Sequence, residues 1–232
     1  MADEKLESIL AKRDECEFCS ARWEELNREK AGYLESIKPS TKERIIYFEE
    51  EDLRDIGEIF TEKFSLLELP FGVERRSILE YYPTKRHPIP YVLVRFGNKY
   101  FFILREQGGG ELRLIGKKGL IGGHISEEDV AEGDLVTTVQ NALFREAQEE
   151  AGIQENMIKS VRLKGVIKSD LGVDIDHLGL VYEMEVMTDE IKSEEEGIMT
   201  GVWISREELP DHYESFENWS KIVYDNLLKR ES

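Results

Sequence analysis

The 232-residue sequence is short of cysteine, of positive charge and of long apolar runs. Two cysteines, Cys16 and Cys19, cannot build a disulfide scaffold in a chain of this size. Their C-x-x-C spacing would suit half of a zinc site, but the four histidines, His87, His124, His177 and His212, stand apart and far downstream, so no second half is evident. The segment around the pair reads as one helix, not as the strand-to-helix turn of a redox motif, which leaves two thiols on a helix. Lysine and arginine number 31 against 49 aspartates and glutamates, a formal net charge of −18. Such a chain repels a nucleic-acid backbone, which argues against duplex binding. It does not exclude a small phosphorylated substrate, because a divalent cation can bridge an acidic site to an anion. No apolar stretch approaches the roughly 20 residues of a membrane span. The charged N-terminus has no signal-peptide core. These absences point to the cytoplasm and to no membrane contact.

What is present is a soluble globular composition, 40% hydrophobic and 34% charged, with length enough for one buried domain and an appendage. Residues 3–36 are rich in Glu, Lys and Arg, with apolar positions such as Leu6, Ile9, Trp23, Leu26 and Leu34. They predict one or two amphipathic helices that mediate self-association, hence a homodimer. After Pro39, residues 44–48 predict a strand, 51–64 a helix, 69–72 a turn and 83–90 an extended connector. Runs at 91–96 and 99–105 flank Gly97-Asn98 as a β-hairpin. A glycine loop follows at 108–110. A helix starting near Asp134 and ending at Gly152 leads to strands at 161–167, 178–186 and 199–204, a short helix from Ser205, and a closing helix over 215–228. Strands interspersed with helices predict a mixed sheet between helical layers.

The chemically informative stretch is Arg145-Glu146-Ala147-Gln148-Glu149-Glu150-Ala151-Gly152-Ile153. On a helix Glu146, Glu149 and Glu150 stand at i, i+3 and i+4 and share one face. Each like-charge pair at such spacing costs about 0.2–0.5 kcal/mol on an exposed helix. Arg145 can answer Glu149 four residues on, whereas Glu146 and Glu150 have no basic partner at helical spacing. A hard divalent cation resolves the conflict, since Mg²⁺ takes oxygen ligands. A solvated acidic face is the plainer alternative, as Glu194-Glu195-Glu196 illustrates in the same chain.

The flanking residues favour the cation. The stretch resembles the REUxEExGU half of the Nudix box (U, a bulky aliphatic residue), with Ala147 small where the family prefers a larger side chain. Gly122-Gly123-His124-Ile125 resembles the glycine approach to the box loop. Gly133-Asp134 is similar to its later Gly-Glu, so that Asp134 stands for the helix-start glutamate that pairs with the arginine, after an insertion. Segments at 89–93, 108–111, 122–125, 177–180 and 216–220 look like a bacterial Nudix subfamily of predicted phosphoesterases. The resemblance implies an α/β/α sandwich with a mixed β-sheet over residues 41–232, a core of about 88–210, a closing helix near 215–229, and an N-terminal helical extension over 1–40. It implies a Mg²⁺- or Mn²⁺-dependent hydrolase that cleaves a diphosphate linkage in a nucleoside diphosphate derivative. Glu146, Glu149 and Glu150 become metal ligands. Glu146 and Glu150 become the candidate bases, with Arg145 beside them in the catalytic group. Glu195 or Glu196 is a candidate further carboxylate.

Arg105 and Arg113, and less so Lys117 and Lys118, are candidates for phosphate oxygens. Gly122, Gly123 and His124 are candidates for lining the substrate site. His177, at the start of a strand, reads as structural or substrate-adjacent, not as a metal ligand. Trp203 and Trp219 read as core. The principal rival is a Nudix-fold nucleotide sensor without turnover, which would be free to lose the intact Arg-Glu and Glu-Glu pairs. A prenyl-diphosphate isomerase of the same fold needs a cysteine near the site, and Cys16 and Cys19 lie far from it in sequence.

Overall fold

Two amphipathic helices, α1 (Glu4–Asp14) and α2 (Ala21–Ile37), open the chain. The computed structural model describes residues 4–57, 59–62, 64–66, 69–106, 115–169, 175–192 and 199–229. Strands β1 (Arg44–Glu49), β2 (Ile59–Thr61) and β3 (Gly72–Arg75) precede a single turn, α3 (Arg76–Leu79). The hairpin β4 (Lys85–Phe96) and β5 (Lys99–Arg105) follows, then short strands β6 (Lys118–Gly119) and β7 (Ile121–Gly122). Next come α4 (Leu135–Ala151), β8 (Ile158–Lys168), β9 (His177–Val186) and β10 (Met199–Ser205). The C-terminal layer is α5 (Leu209–His212) and α6 (Asn218–Val223), which runs on into a π-turn over Tyr224–Leu228.

The strands form a mixed sheet in the order β10-β5-β4-β9-β8-β2, with β4 and β9 parallel and the other neighbours on this path antiparallel. Alternation along each strand divides the core in two. Val92, Val94, Phe101, Ile103, Leu180 and Met184 face α4, whose buried stripe is Leu135, Val139, Ala142, Leu143 and Ala147. Leu93, Tyr100, Phe102 and Val181 face the opposite layer of Leu209, Phe216, Val223 and Leu228. The result is the expected α/β/α sandwich. On the second face the buried Tyr91 hydroxyl donates to Glu217 and accepts from the Leu120 N–H at 3.2 Å, which ties the closing helix to the sheet. Trp203 and Trp219 pack against these cores.

Several local expectations change. The described residues of 51–64 do not form the expected helix. A 3-10 turn ends at Leu53, and the edge strand β2 pairs with β8, laying Phe60 over Gly165, where a side chain would not fit. The stretch from Gly72 begins β3 rather than completing a turn, and the 83–90 connector is strand from Lys85 onward. Its prolines, Pro88 and Pro90, fall where that flank of β4 is unpaired, between the β1 contact at Arg86 and the β7 contact at Tyr91. The helix expected over 215–228 begins at Asn218. The short helix expected from Ser205 begins at Leu209, after a turn. Cys16 and Cys19 lie in the break between α1 and α2, not on a helix, and Cys19 has φ 59°. The glycine loop at 108–110 lies outside the described residues. No helix among those described is long and apolar enough to cross a membrane.

The apolar face of α2, from which self-association was expected, is covered by the chain itself. Trp23, Leu26, Ala31 and Leu34 are buried, and Trp23 meets Tyr82 edge-on at 4.9 Å between centroids. Asn27 donates to the Ile78 carbonyl at 3.3 Å. Lys30, with no exposed surface, donates to the carbonyls of Ile78 (3.0 Å) and Glu80. The N-terminal helices thereby brace the segment that carries Arg76.

Burial, and then the charge of Arg13, push the Lys30 amine down to about 7. Its folded value lies below its unfolded one. From about pH 7 up to the ordinary lysine range, near 10.4, the unfolded chain therefore binds a proton that the folded chain lacks, and stability rises with pH across that window. Thermal or urea unfolding from pH 7 to pH 10 should show a positive slope of at most about 1.4 kcal/mol per pH unit, flattened in Lys30→Met. The same slope in both proteins would place the titrating group elsewhere.

Candidate active site

Helix α4 owes its ends to the residues that flank it. The Asp134 side chain caps the N-terminus by accepting from the Thr137 N–H at 3.0 Å and from its hydroxyl at 2.5 Å. Gly152, at φ 62°, ends the helix in the left-handed conformation, which costs a glycine nothing. Between these caps Glu146, Glu149 and Glu150 project from the edge of the stripe buried on the sheet.

Arg145 organises this edge. Its Nε and Nη2 donate to the two carboxylate oxygens of Asp129 at 3.0 and 2.9 Å. Nη2 also reaches the His124 carbonyl at 2.9 Å, and Nη1 reaches Glu146 at 2.7 Å and Glu149 at 3.1 Å. All five N–H donors of the guanidinium thus find acceptors. The hydrogen bonds to Asp129, first, and the charge of Glu146 raise its pKa against the opposing effect of burial. Glu146 therefore does have a basic partner, the residue before it, which helical spacing alone did not offer.

The arginine's structural partner is Asp129, not Asp134. Asp129 is buried, sits in a 3-10 turn (Glu127–Asp129), and also accepts from the Ser126 N–H at 2.8 Å and the Ser126 hydroxyl at 3.1 Å. The signal lay in the sequence: Gly123 is followed by five residues and then Asp129, which is the spacing of the first half of the box with aspartate for glutamate. Fifteen residues separate Asp129 from Arg145, where the family pattern has seven. The insertion therefore follows the acid instead of preceding it. Asp134 is left to cap the helix.

A cleft of about 660 Å³ opens beside this edge. Glu146 and Glu149 line it from α4, Gly123, His124 and Glu127 from the loop, and Arg44 and Arg76 from β1 and α3. A Cβ on Gly123 would overlap the Glu146 carboxylate, so the glycine makes room for that group. Burial first, and then the like charges of Glu149 and Asp129, raise the pKa of Glu146 against the pull of Arg145. A half-buried carboxylate held against such repulsion suits a hard divalent cation, as does the oxygen-only donor set of this helix face. Glu150 is not among the lining residues; its Oε2 accepts from the Gly122 N–H at 3.1 Å, joining α4 to β7. The three glutamates share a face, as expected; Arg145 Nη1 holds Glu146 and Glu149 together, whereas the Gly122 N–H holds Glu150 apart from them.

Of the other candidates, Arg105 does not line the cleft; it ends β5 with Nη1 3.6 Å from the Met199 sulfur. Lys117 and Lys118 donate to the Glu214 carbonyl and the Ser215 hydroxyl, at 3.1 and 2.8 Å, and hold the C-terminal layer. Arg113 and Glu194 to Glu196 lie outside the described residues. The basic groups on the cleft are Arg44 and Arg76, beside Arg145. Arg44 pairs with Glu127 at 2.9 Å, and Arg76 pairs with Glu43 at 3.1 Å and Glu80 at 2.8 Å. Sequence reading had no signal for Arg44 and Arg76, because only the docking of β1 and α3 brings them to this cleft.

Tm1382, whose crystal structure is described as that of a candidate Nudix hydrolase, has the same fold. It matches with a TM-score of 0.68 and 26% identity, over 81% of this chain and 100% of that one. The chain belongs to the Nudix hydrolase family. It is also 30% identical over 168 residues to Protein YmaB of Bacillus subtilis (strain 168), a match covering 69% of this chain and 80% of the relative. No family model matches the chain. The lengthened Nudix loop between Asp129 and Arg145 distinguishes this chain from the spacing of the family pattern.

Which acid holds the Nudix arginine can be tested by paired variants. Asp129→Asn should cost about 1–3 kcal/mol. That is less than the roughly 3–5 kcal/mol of a fully buried pair, because a third of the arginine side chain meets solvent. Asp134→Asn should stay within about 0.5 kcal/mol, since asparagine caps as well as aspartate. Denaturant midpoints in the reverse order would restore Asp134 as the partner.

Proposed function

We propose that this hydrolase cleaves the diphosphate linkage of a nucleoside diphosphate derivative, with Mg²⁺ or Mn²⁺ held by Glu146, Glu149 and Glu150. The observation that carries the reading is the Glu146 carboxylate, lodged against Gly123 at the edge of a cleft that Arg44 and Arg76 border. The cleft volume is of the size that takes a nucleotide-derived ligand. The oxygen-only donors of these glutamates are the kind a divalent ion takes, although the three carboxylates do not converge on one point in the structure; when bound, the ion would supply polarisation of the phosphoanhydride and acidification of a water.

The chain's own residues contribute the rest. Arg145 fixes one oxygen of Glu146 and the Gly122 N–H fixes one of Glu150, so each carboxylate is pre-oriented. These two are the candidates to take the proton from the attacking water. Arg145 acts as a positioning residue, its donors all being used within the protein. Arg44 and Arg76 are our candidates for meeting phosphate oxygens, in place of Arg105. Residues 41–232 form the catalytic unit in this reading, and the N-terminal helices act as a brace on the segment that carries Arg76.

The test is a screen of the full-length protein with nucleotide sugars, dinucleoside polyphosphates, NADH, ADP-ribose and nucleoside triphosphates. Magnesium-dependent release of a phosphorylated product is expected, and chelation should abolish it. Glu149→Gln and Glu150→Gln should each lower kcat by at least about 100-fold with little change in thermal midpoint. Turnover that survives exhaustive chelation, or that is unchanged in both variants, would sink the assignment. Tight nucleotide binding without turnover would point to a sensor instead.

A further inference from the structure

Three of the four histidines converge, although they stand 37 and 53 residues apart in sequence. His87 begins the part of β4 that pairs with β9, His177 is its register partner at the start of parallel β9, and His124 follows the double glycine of the box loop. One ring nitrogen from each lies within 4.8 Å of the others, and ring centroids are 5.1 to 5.6 Å apart. Among the described residues no other trio of histidine, cysteine or carboxylate side chains is so close, the three box glutamates included. The fold thus brings together three histidines that stand apart in the sequence.

We propose that His87, His124 and His177 bind a divalent transition-metal ion that prefers nitrogen ligands, zinc foremost, at a site separate from the Nudix glutamates. Four observations carry this. First, His87 is fully buried, and neither of its ring nitrogens makes a hydrogen bond of ordinary geometry, although the Leu79 backbone lies within reach of the ring; the Nε2 of His124 is likewise buried and unpartnered. An unsatisfied buried polar group is costly, and a shared ion would take one nitrogen from each of the three rings. Second, His177 Nδ1 lies 2.8 Å from Asp176, which is 3% exposed and also accepts from the Tyr81 N–H at 2.7 Å. A carboxylate that fixes one nitrogen of a histidine and directs the other inward is the usual support of a metal-binding imidazole.

Third, Arg76, a cation whose charge opposes an ion here, is itself matched by Glu43 and Glu80. Fourth, ligand nitrogens in a tetrahedral zinc site stand about 3.3 Å apart, so modest ring rotations complete the arrangement. Nitrogen donors select zinc and its neighbours over magnesium. Three protein ligands leave one position for water or another group. The ion would fasten together β4, β9 and the loop whose preceding residue, Gly123, houses Glu146.

The inference does not rest on the catalytic reading, and its test is metal content. Full-length protein stripped with chelator and dialysed against equimolar zinc in excess magnesium should retain about one zinc per chain after gel filtration. X-ray absorption should show three imidazole nitrogens at about 2.0–2.1 Å. His124→Ala and His177→Ala should lose the zinc. Cys16→Ser/Cys19→Ser and Glu149→Gln should keep it, the latter even if hydrolysis is lost. Should a histidine variant fail to fold, the absorption spectrum of the wild-type chain decides alone. Failure of the wild type to retain zinc, cobalt or nickel, or a spectrum dominated by sulfur or carboxylate oxygen, overturns the proposal.

Discussion

Arg145 commits a full guanidinium fork inside the protein, and the geometry of the site depends on it. Two donors grip Asp129, one holds the carbonyl of His124, and two orient Glu146 and Glu149. A helix and a loop that are otherwise joined through fifteen intervening residues are thereby locked at a fixed distance. The same interaction lowers the cost of setting acidic groups side by side on α4. A lysine, as a single point charge, could not present this fork to a carboxylate and three further acceptors. Inserted chain between the acid and the helix is tolerated because loop closure grows only slowly more costly with length.

The double glycine is the hinge between two chemistries. Gly122 gives its N–H to Glu150, and Gly123 leaves its side-chain space to Glu146. The next residue, His124, turns its carbonyl to Arg145 and its ring toward His87 and His177. Consecutive residues of the loop thus touch the box glutamates and the histidine cluster. The parallel pairing of β4 with β9 supplies the second half of this arrangement, because parallel register sets His87 directly beside His177. Antiparallel neighbours would have carried the two rings to opposite ends of the strands.

Much of the fold was legible because its signals are local. The caps of α4 at Asp134 and Gly152, the hairpin about Gly97-Asn98, and the alternating strands at 178–186 and 199–204 each follow from short-range sterics and periodicity. The same holds for the carboxylate face, since i, i+3 and i+4 spacing needs no partner to define it. Residues 51–64 misled because an edge strand such as β2 takes its form from the strand it joins. The helical reading of the cysteine segment failed at Cys19, whose left-handed backbone no pattern of apolar residues announces.

The sequence by itself determined the helix with its row of glutamates, the caps that bound it, the acidic surface and the kinship with the Nudix hydrolases. Tertiary structure alone decided that Asp129 answers Arg145, that Arg44 and Arg76 border the cleft, that the N-terminal apolar face is covered within the chain, and that three distant histidines meet. The reason is the range of the forces involved. Backbone propensity and helical spacing act over a few residues, whereas ion pairing and ring contacts at a few ångströms require segments far apart in the chain to be packed on one sheet first.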